Sequence, residues 1–307
     1  MSLEHWSRYW QTGHLTSLPD DFAGVYDGEI EDFWAGLAKA LPTGARVLDV
    51  CAGNGPVALL IARHADAARV WAADAAAIDP GPVLARRPAL ADLAAQVTFL
   101  PGTPAETLAD TIGEQFALVT SQYGVEYTDW PVTARSIAEV LEPGGTLALV
   151  AHVPTSAMVE TMEAEQSDYA RLSEAGALEA LRELGARGGG SARKRLKRAL
   201  TRLRPDANSS ALLGGVVHGT APLLAMGPEQ LAAQQPAILQ YAADLVAGRD
   251  RARDLLRANR RILESPRWFE VFTEAGLVLE QEQELFYDGR HRCGLALVFR
   301  KPADRVD

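Results

Sequence analysis

The run Val47-Leu48-Asp49-Val50-Cys51-Ala52-Gly53-Asn54-Gly55-Pro56 constrains what this chain can fold into more than any other stretch. Its apolar start reads as a buried strand, its glycines as a tight turn, and its proline as the first position of a helix. Gly53 and Gly55 tolerate positive φ and leave room for a ligand against the main chain. A helix beginning behind them presents free N–H groups, and Pro56 suits a first helical position, where no N–H is needed. A dinucleotide fingerprint would require glycines at 51, 53 and 56. The chain has Cys51, Gly53 and Pro56 there, so an NAD site fits poorly.

The same punctuation continues downstream. Strands are expected at Ala45–Val50, Arg69–Ala73, Gln96–Leu100, Phe116–Ser121 and Thr146–Ala151. Helices are expected at Val57–His64, at Val83–Ala95 with an interruption at Pro88, and at Val132–Leu141. Strands alternating with helices signal parallel βαβ units, and their apolar character signals burial on both faces. Upstream, Glu29–Leu41 reads as a helix, with Phe33, Leu37 and Leu41 at helical spacing. After Pro154 the alternation stops. Residues 155–265 are helical in pattern, broken at Gly188-Gly189-Gly190 and Pro205–Ser210. Strand character returns at Leu277–Glu284 and Gly294–Arg300 around a turn at Asp288-Gly289, as an antiparallel pair.

The expected architecture is therefore an α/β, Rossmann-like, seven-stranded, mostly parallel sheet with an antiparallel last strand. A helical N-terminal segment (1–40) precedes the core (41–153), a large helical insertion follows (154–265), and residues 266–307 return the last two strands.

Composition bounds the function classes. The 307 residues are 48% hydrophobic and 23% charged, as in an ordinary globular chain. A net charge of -10 argues against general affinity for nucleic acid or anionic membrane. Cys51 and Cys293 are too far apart in sequence for a disulfide framework or a metal cluster of their own, and a reducing cytoplasm is expected. No apolar run approaches the roughly 18–20 residues needed to span a bilayer, and Met1–Gly13 lacks a targeting pattern.

Strand-Asp-x-x-x-Gly-x-Gly resembles motif I of class I S-adenosylmethionine-dependent methyltransferases, with Cys51 where the family places its first glycine. Negative φ is expected at Cys51, because a side chain fits the turn only in that region. The resemblance continues in order through Val70-Trp71-Ala72-Ala73-Asp74, Val97-Thr98-Phe99-Leu100-Pro101-Gly102, Phe116–Ser121 and Leu141-Glu142-Pro143-Gly144-Gly145. It covers residues 40–153 and the last two strands.

It implies S-adenosylmethionine as methyl donor and S-adenosylhomocysteine as product. Asp49, Cys51, Ala52, Gly53 and Gly55 would form the cofactor turn. Asp74, with Ala75, would take the ribose hydroxyls. Thr103 and Pro104 would flank the adenine, Thr103 standing where the family often has an acid. Ser121 and Gln122 would face the ligand crevice beyond the fourth strand. Trp10, with Trp6 and Tyr9, would fold over the cofactor as a lid or pack as an aromatic helix on the core.

A sulfonium methyl is already electrophilic, so aligning a nucleophile behind it supplies much of the rate, on the order of 7–11 kcal/mol. The candidate bases are His152, for its pKa range, and Glu126 and Tyr123, for their position past the fourth strand. His152 reads also as a surface or hydrogen-bonded histidine, Glu126 as a cap or an arginine partner, and Tyr123 as a residue that only packs on the cofactor. No metal is expected, since no aspartate ends the fourth strand. His5 and His14 read as solvated. Met158, Met162, Leu212, Leu213, Leu224 and Met226 would roof the methyl or fill a helical core.

The expected acceptor is a small, aromatic or apolar metabolite taking methyl on O or N. Alternatives are RNA or protein methylation using the basic segment 187–204, and S-adenosylmethionine binding without transfer. The expected partners are thus a small-molecule acceptor, with neither nucleic acid nor membrane, and the insertion offers a surface for a homodimer.

Overall fold

The computed structural model describes residues 3–17, 22 and 24–303; the expected terminal segments 1–40 and 266–307 extend in part beyond the described residues. The chain forms two compact units. One comprises the described parts of Met1–Val159 and Arg257–Asp307, the other Glu160–Leu256.

In the first unit the strands are β1 (Arg46–Val50), β2 (Arg69–Asp74), β3 (Val97–Pro101), β4 (Phe116–Gln122), β5 (Leu141–Ala151), β6 (Val278–Tyr287) and β7 (His291–Arg300). They make one sheet in the order β3-β2-β1-β4-β5-β7-β6. The β1–β2, β1–β4, β2–β3 and β4–β5 pairs are parallel. β7 runs antiparallel to both β5 and β6. The order reverses between β1 and β4, and an open α/β sheet binds its ligand at the carboxyl ends of the strands beside such a switch.

The helices of the chain are α1 (Glu4–Gln11), α2 (Gly28–Lys39), α3 (Pro56–His64), α4 (Gly81–Leu84), α5 (Pro88–Ala94), α6 (Leu108–Thr111), α7 (Trp130–Val140), α8 (Ala157–Glu174), α9 (Ala177–Arg187), α10 (Gly190–Leu203), α11 (Ala211–Thr220), α12 (Pro228–Glu264) and α13 (Glu270–Glu274). Alternation along the strands divides the core between the sheet's two faces. Val47, Leu118 and Ala148 pack with Ile30 and Trp34 of α2 and Leu59 of α3. Leu48, Val119 and Leu147 pack with Ile137 of α7 and Phe272 of α13. Every strand of this central group is apolar because both faces are covered.

One boundary differs from expectation. The Leu141-Glu142-Pro143-Gly144-Gly145 segment is not a free turn before the fifth strand; β5 begins at Leu141, paired with Phe116 across a register shift. Gly145 makes this approach possible, since a Cβ there would lie 3.0 Å from the Phe116 carbonyl oxygen. The outer edge, β6, carries Glu280, Glu282 and Glu284, which pair with Arg300, Arg267 and Arg292. Charge along an edge strand discourages pairing with another chain.

The second unit is helical and has its own core, including Leu172, Leu181, Leu184, Leu196, Leu213 and Ala242. Met162, Leu212, Leu213, Leu224 and Met226 belong to this core, the plainer of the two sequence readings. The basic run lies mainly on α10, whose apolar side (Ala192, Leu196, Ala199, Leu200, Leu203) is buried while Lys194, Lys197, Arg198 and Arg202 are exposed. Among the described residues no helix is long and apolar enough to cross a membrane.

Candidate active site

The carboxyl ends of β1 and β2 build the first half of the site. Gly53 and Gly55 have φ of 54° and 81°, and Gly55 leads into α3 at Pro56. Cys51 also has positive φ, 55°, which corrects the expectation of a negative value. The strand turns at Cys51 itself, and Ala52 keeps its N–H bonded to Ala73 of β2, 3.0 Å away. A non-glycine residue held there costs on the order of 1–3 kcal/mol and persists only where its surroundings enforce it. Those surroundings are tight, for a Cβ at Gly124 would overlap the Cβ of Cys51.

Two buried carboxyls shape this turn differently. Asp49 is committed inside the fold: one oxygen accepts from Thr120 Oγ1 at 2.9 Å, the other from the Ala58 N–H at 3.2 Å. That second bond caps the first turn of α3, which Gly55 cannot cap with a side chain. Burial pushes the Asp49 pKa up to about 7, with the Asp74 charge adding to the shift. Asp49 therefore braces the turn. Asp74 ends β2, and its two oxygens accept from Gly53 N–H (2.8 Å) and Ala76 N–H (2.7 Å). Each oxygen retains a further lone pair for a ligand hydroxyl. Burial raises the Asp74 pKa, against the pull of the Ala76 and Gly53 amides. Ala75 and Pro104 are half-buried and Thr103 is buried, its N–H on the Asp74 carbonyl at 2.8 Å.

Helix α1 lies on this turn. A Cβ at Gly53 would overlap the Trp10 ring, and Tyr9 and Trp10 cluster with Ala76 and Ile78 just past β2. Asn54, fully buried, donates to the Trp10 carbonyl (2.9 Å) and the His14 carbonyl (2.6 Å). His14 stacks on Tyr9 with centroids 4.7 Å apart, so it is not the solvated side chain expected. The sequence offered one faint sign of the Asn54 contact, a carboxamide set between two turn glycines.

The carboxyl ends of β4 and β5 build the second half. Ser121 is 1% exposed and its Oγ has no partner among the described residues. Gln122 Oε1 accepts from the Trp34 indole at 2.6 Å. Tyr123, with φ of 53°, donates from its hydroxyl to the Cys293 carbonyl at 2.7 Å and stacks on His152, centroids 4.6 Å apart at 8°. Glu126 is fully buried; one carboxyl oxygen accepts from the His152 N–H at 2.7 Å, and Oε2 makes no hydrogen bond with a described residue. His152 Nε2 lies 2.9 Å from the Tyr127 hydroxyl, while its Nδ1 is buried without a partner.

These environments sort the three candidate bases. Burial pushes His152 down to about 3, so it stays a neutral hydrogen-bonding ring, a correction to its expected pKa range. Burial lifts the Tyr123 phenol well above its ordinary value, with Cys293, Tyr26 and Glu126 adding to the shift. Burial also raises Glu126, to about 7, against the pull of the His152, Glu126 and Gly124 amides. A base near neutrality is the one best matched to proton transfer at working pH. Among the described residues, Glu126 does not pair with an arginine through its carboxyl. Arg261 instead donates to the carbonyls of Glu126 (3.3 Å) and Thr128 (3.1 Å) and sits 3.9 Å over the Trp130 ring.

No functionally curated protein matches the sequence. Among solved structures, TrmN from Thermus thermophilus is similar at 27% identity, over 42% of this chain and 40% of that one, with a TM-score of 0.33. The N-methyltransferase NodS from Bradyrhizobium japonicum WM9, in complex with S-adenosyl-L-homocysteine, is 11% identical over 97% of this chain and 99% of that one (TM-score 0.47). A TehB-like S-adenosylmethionine-dependent methyltransferase from Corynebacterium glutamicum ATCC 13032 is 14% identical over 97% of each chain (TM-score 0.42). A protein-family profile described as a methyltransferase domain matches residues 23–185, more than half of the sequence. With its sheet order and its glycine turn between β1 and α3, the chain belongs to the methyltransferase-domain family and is an enzyme of the class I type.

Proposed function

We propose that this methyltransferase uses S-adenosylmethionine and transfers the methyl group to an oxygen or nitrogen atom of a small molecule. The observation that carries the reading is a convergence at one sheet edge. The Gly53–Gly55 turn, braced by Asp74, follows β1, and the buried Ser121 Oγ, Glu126 Oε2 and His152 Nδ1, which have no partners among the described residues, belong to the carboxyl ends of β4 and β5 and the segments just past them.

The residues fit a nucleoside carrying a charged tail. Asp74 can accept ribose hydroxyls through its remaining lone pairs, and the Ala75, Thr103 and Pro104 positions flank the base. Ala52 brings only a methyl group to the turn, and Ser121 and Gln122 offer polar groups toward the tail. Trp10, resting on Gly53, closes the site from the N-terminal side. The donor supplies an electrophilic methyl carbon on a sulfonium. The chain supplies alignment, exclusion of water, and a proton acceptor in Glu126, which His152 and Tyr123 hold in place and shield. Buried polar atoms without partners are costly, and an acceptor that satisfies them gains binding energy.

Incubation with radiolabelled donor, offering a small-molecule library and bulk tRNA separately, tests the acceptor class. Label in the small-molecule fraction is expected. Label confined to tRNA would move the acceptor to RNA and assign the exposed cations of α10 to its backbone.

A further inference from the structure

We propose that the acceptor is a primary or secondary amine, bound as its ammonium form against Glu126; this rests on the donor reading above and specifies the acceptor of that same site. Three observations converge on a cation at this position.

The first is an unanswered carboxyl. Glu126 is wholly buried, its Oε2 lacks a hydrogen-bond partner among the described residues, and Arg261 Nη1 donates to the main-chain carbonyls of Glu126 and Thr128. A buried carboxylate without a cation is strongly disfavoured, so a bound ammonium would supply the missing charge and the missing donor together.

The second is the local field. The charges acting on Cys51, beside Gly124, are those of Asp74, Glu106, Glu126 and Asp49, all of one sign. Glu126 accepts from the His152 N–H, and burial keeps that ring unprotonated and the Tyr123 phenol intact. None of these side chains carries a positive charge that would hold a carboxylate or phosphate acceptor.

The third is a run of aromatic faces. Trp6 meets Tyr127 edge-on at 5.6 Å, Tyr127 meets His152 at 5.8 Å, and His152 stacks on Tyr123 at 4.6 Å. A face left uncovered in this run would attract an alkylammonium group through the ring quadrupole.

The chemistry balances. The ammonium passes one proton to Glu126 Oε2, and the freed nitrogen lone pair attacks the donor methyl carbon. The carbon–sulfur electron pair stays with sulfur, so the positive charge leaves the sulfonium and resides on the methylated ammonium product. Glu126 is then protonated as it was before the amine bound, so the one proton the reaction yields is the one released on binding.

The test uses the intact protein saturated with S-adenosylhomocysteine, titrated calorimetrically with amines and with the phenol and carboxylic acid of each carbon skeleton. Working at about pH 6 in two buffers of different ionisation enthalpy counts protons. Amine binding is expected to release about one proton, because Glu126 ionises as the ammonium arrives, and amines are expected to be the members of each matched set that accept methyl. Glu126→Gln should abolish the release and lower amine turnover by about 10²-fold or more, with S-adenosylhomocysteine affinity held within about twofold. The wild-type proton count decides the matter even if that variant does not fold. Preference for phenols or acids, or amine binding without proton release, would overturn the proposal while leaving the donor intact. Failure of S-adenosylhomocysteine to bind would overturn the donor reading beneath it.

Discussion

Cys51 holds a left-handed backbone conformation in the turn that identifies the family, and Tyr123 holds another in the facing loop. Non-glycine residues in this region concentrate where geometry is enforced for function. Cys51→Gly should relieve the strain and leave stability unchanged or raise it by up to about 1 kcal/mol, whereas the β-branched Cys51→Val should cost about 1–3 kcal/mol. Urea denaturation of both variants checks this, and equal stability of the two would remove the strain.

Asp49 provides a pH test at the same scale. Its folded pKa of about 7, against an ordinary value of 3.8, means the native state keeps a proton the unfolded chain has released between those values. The unfolded state binds fewer protons there, so the Asp49 contribution is complete below the lower value and is lost as pH rises toward the upper one. Asp49→Asn should therefore gain stability relative to wild type between about pH 5 and about pH 7, measured by urea denaturation at each. A constant difference would refute the shift. Asp74 and the glycines were legible because residue type and spacing announce them. The Tyr127–His152 contact and the Asn54 bonds were not, since they join side chains brought together only by the fold.

At the scale of elements, β1–β4 were readable because doubly buried strands are apolar throughout, and α3 because glycine and proline mark its start. The start of β5 was hidden: Pro143-Gly144-Gly145 spells a turn, yet the backbone there pairs with Phe116. Short α13 gave too little periodicity to notice. Helix α1 was expected only as a lid or a packed aromatic helix, and Asn54 explains how it is held. Asn54→Ala would remove the donor shared by the Trp10 and His14 carbonyls and loosen α1 by about 1–3 kcal/mol. Hydrogen exchange should then quicken at the amides of α1 by tenfold or more, with little change in β1 or β4. Unchanged exchange would show that aromatic packing alone holds the helix.

At the scale of the molecule, two units with separate cores imply that the chain need not unfold as one. All six tryptophans, Trp6, Trp10, Trp34, Trp71, Trp130 and Trp268, lie in the sheet-containing unit. Tryptophan fluorescence therefore follows that unit, while far-ultraviolet ellipticity also reports the helical one. The two urea transitions should fail to coincide, and S-adenosylhomocysteine should move the fluorescence transition more, because a ligand stabilises the part it binds. Coincident transitions would contradict independent units. The sequence marks only where strand–helix alternation ends; the cohesion of the helical unit depends on packing that periodicity does not disclose.

The central claim is that the glycine turn and Asp74 hold a nucleoside methyl donor. Calorimetric titration of S-adenosylhomocysteine and of NAD into wild type and Asp74→Ala tests it most directly. Saturable S-adenosylhomocysteine binding, weakened at least about tenfold by the substitution and exceeding NAD affinity, is the predicted result. Tighter binding of NAD, or indifference of S-adenosylhomocysteine to the loss of Asp74, would contradict it.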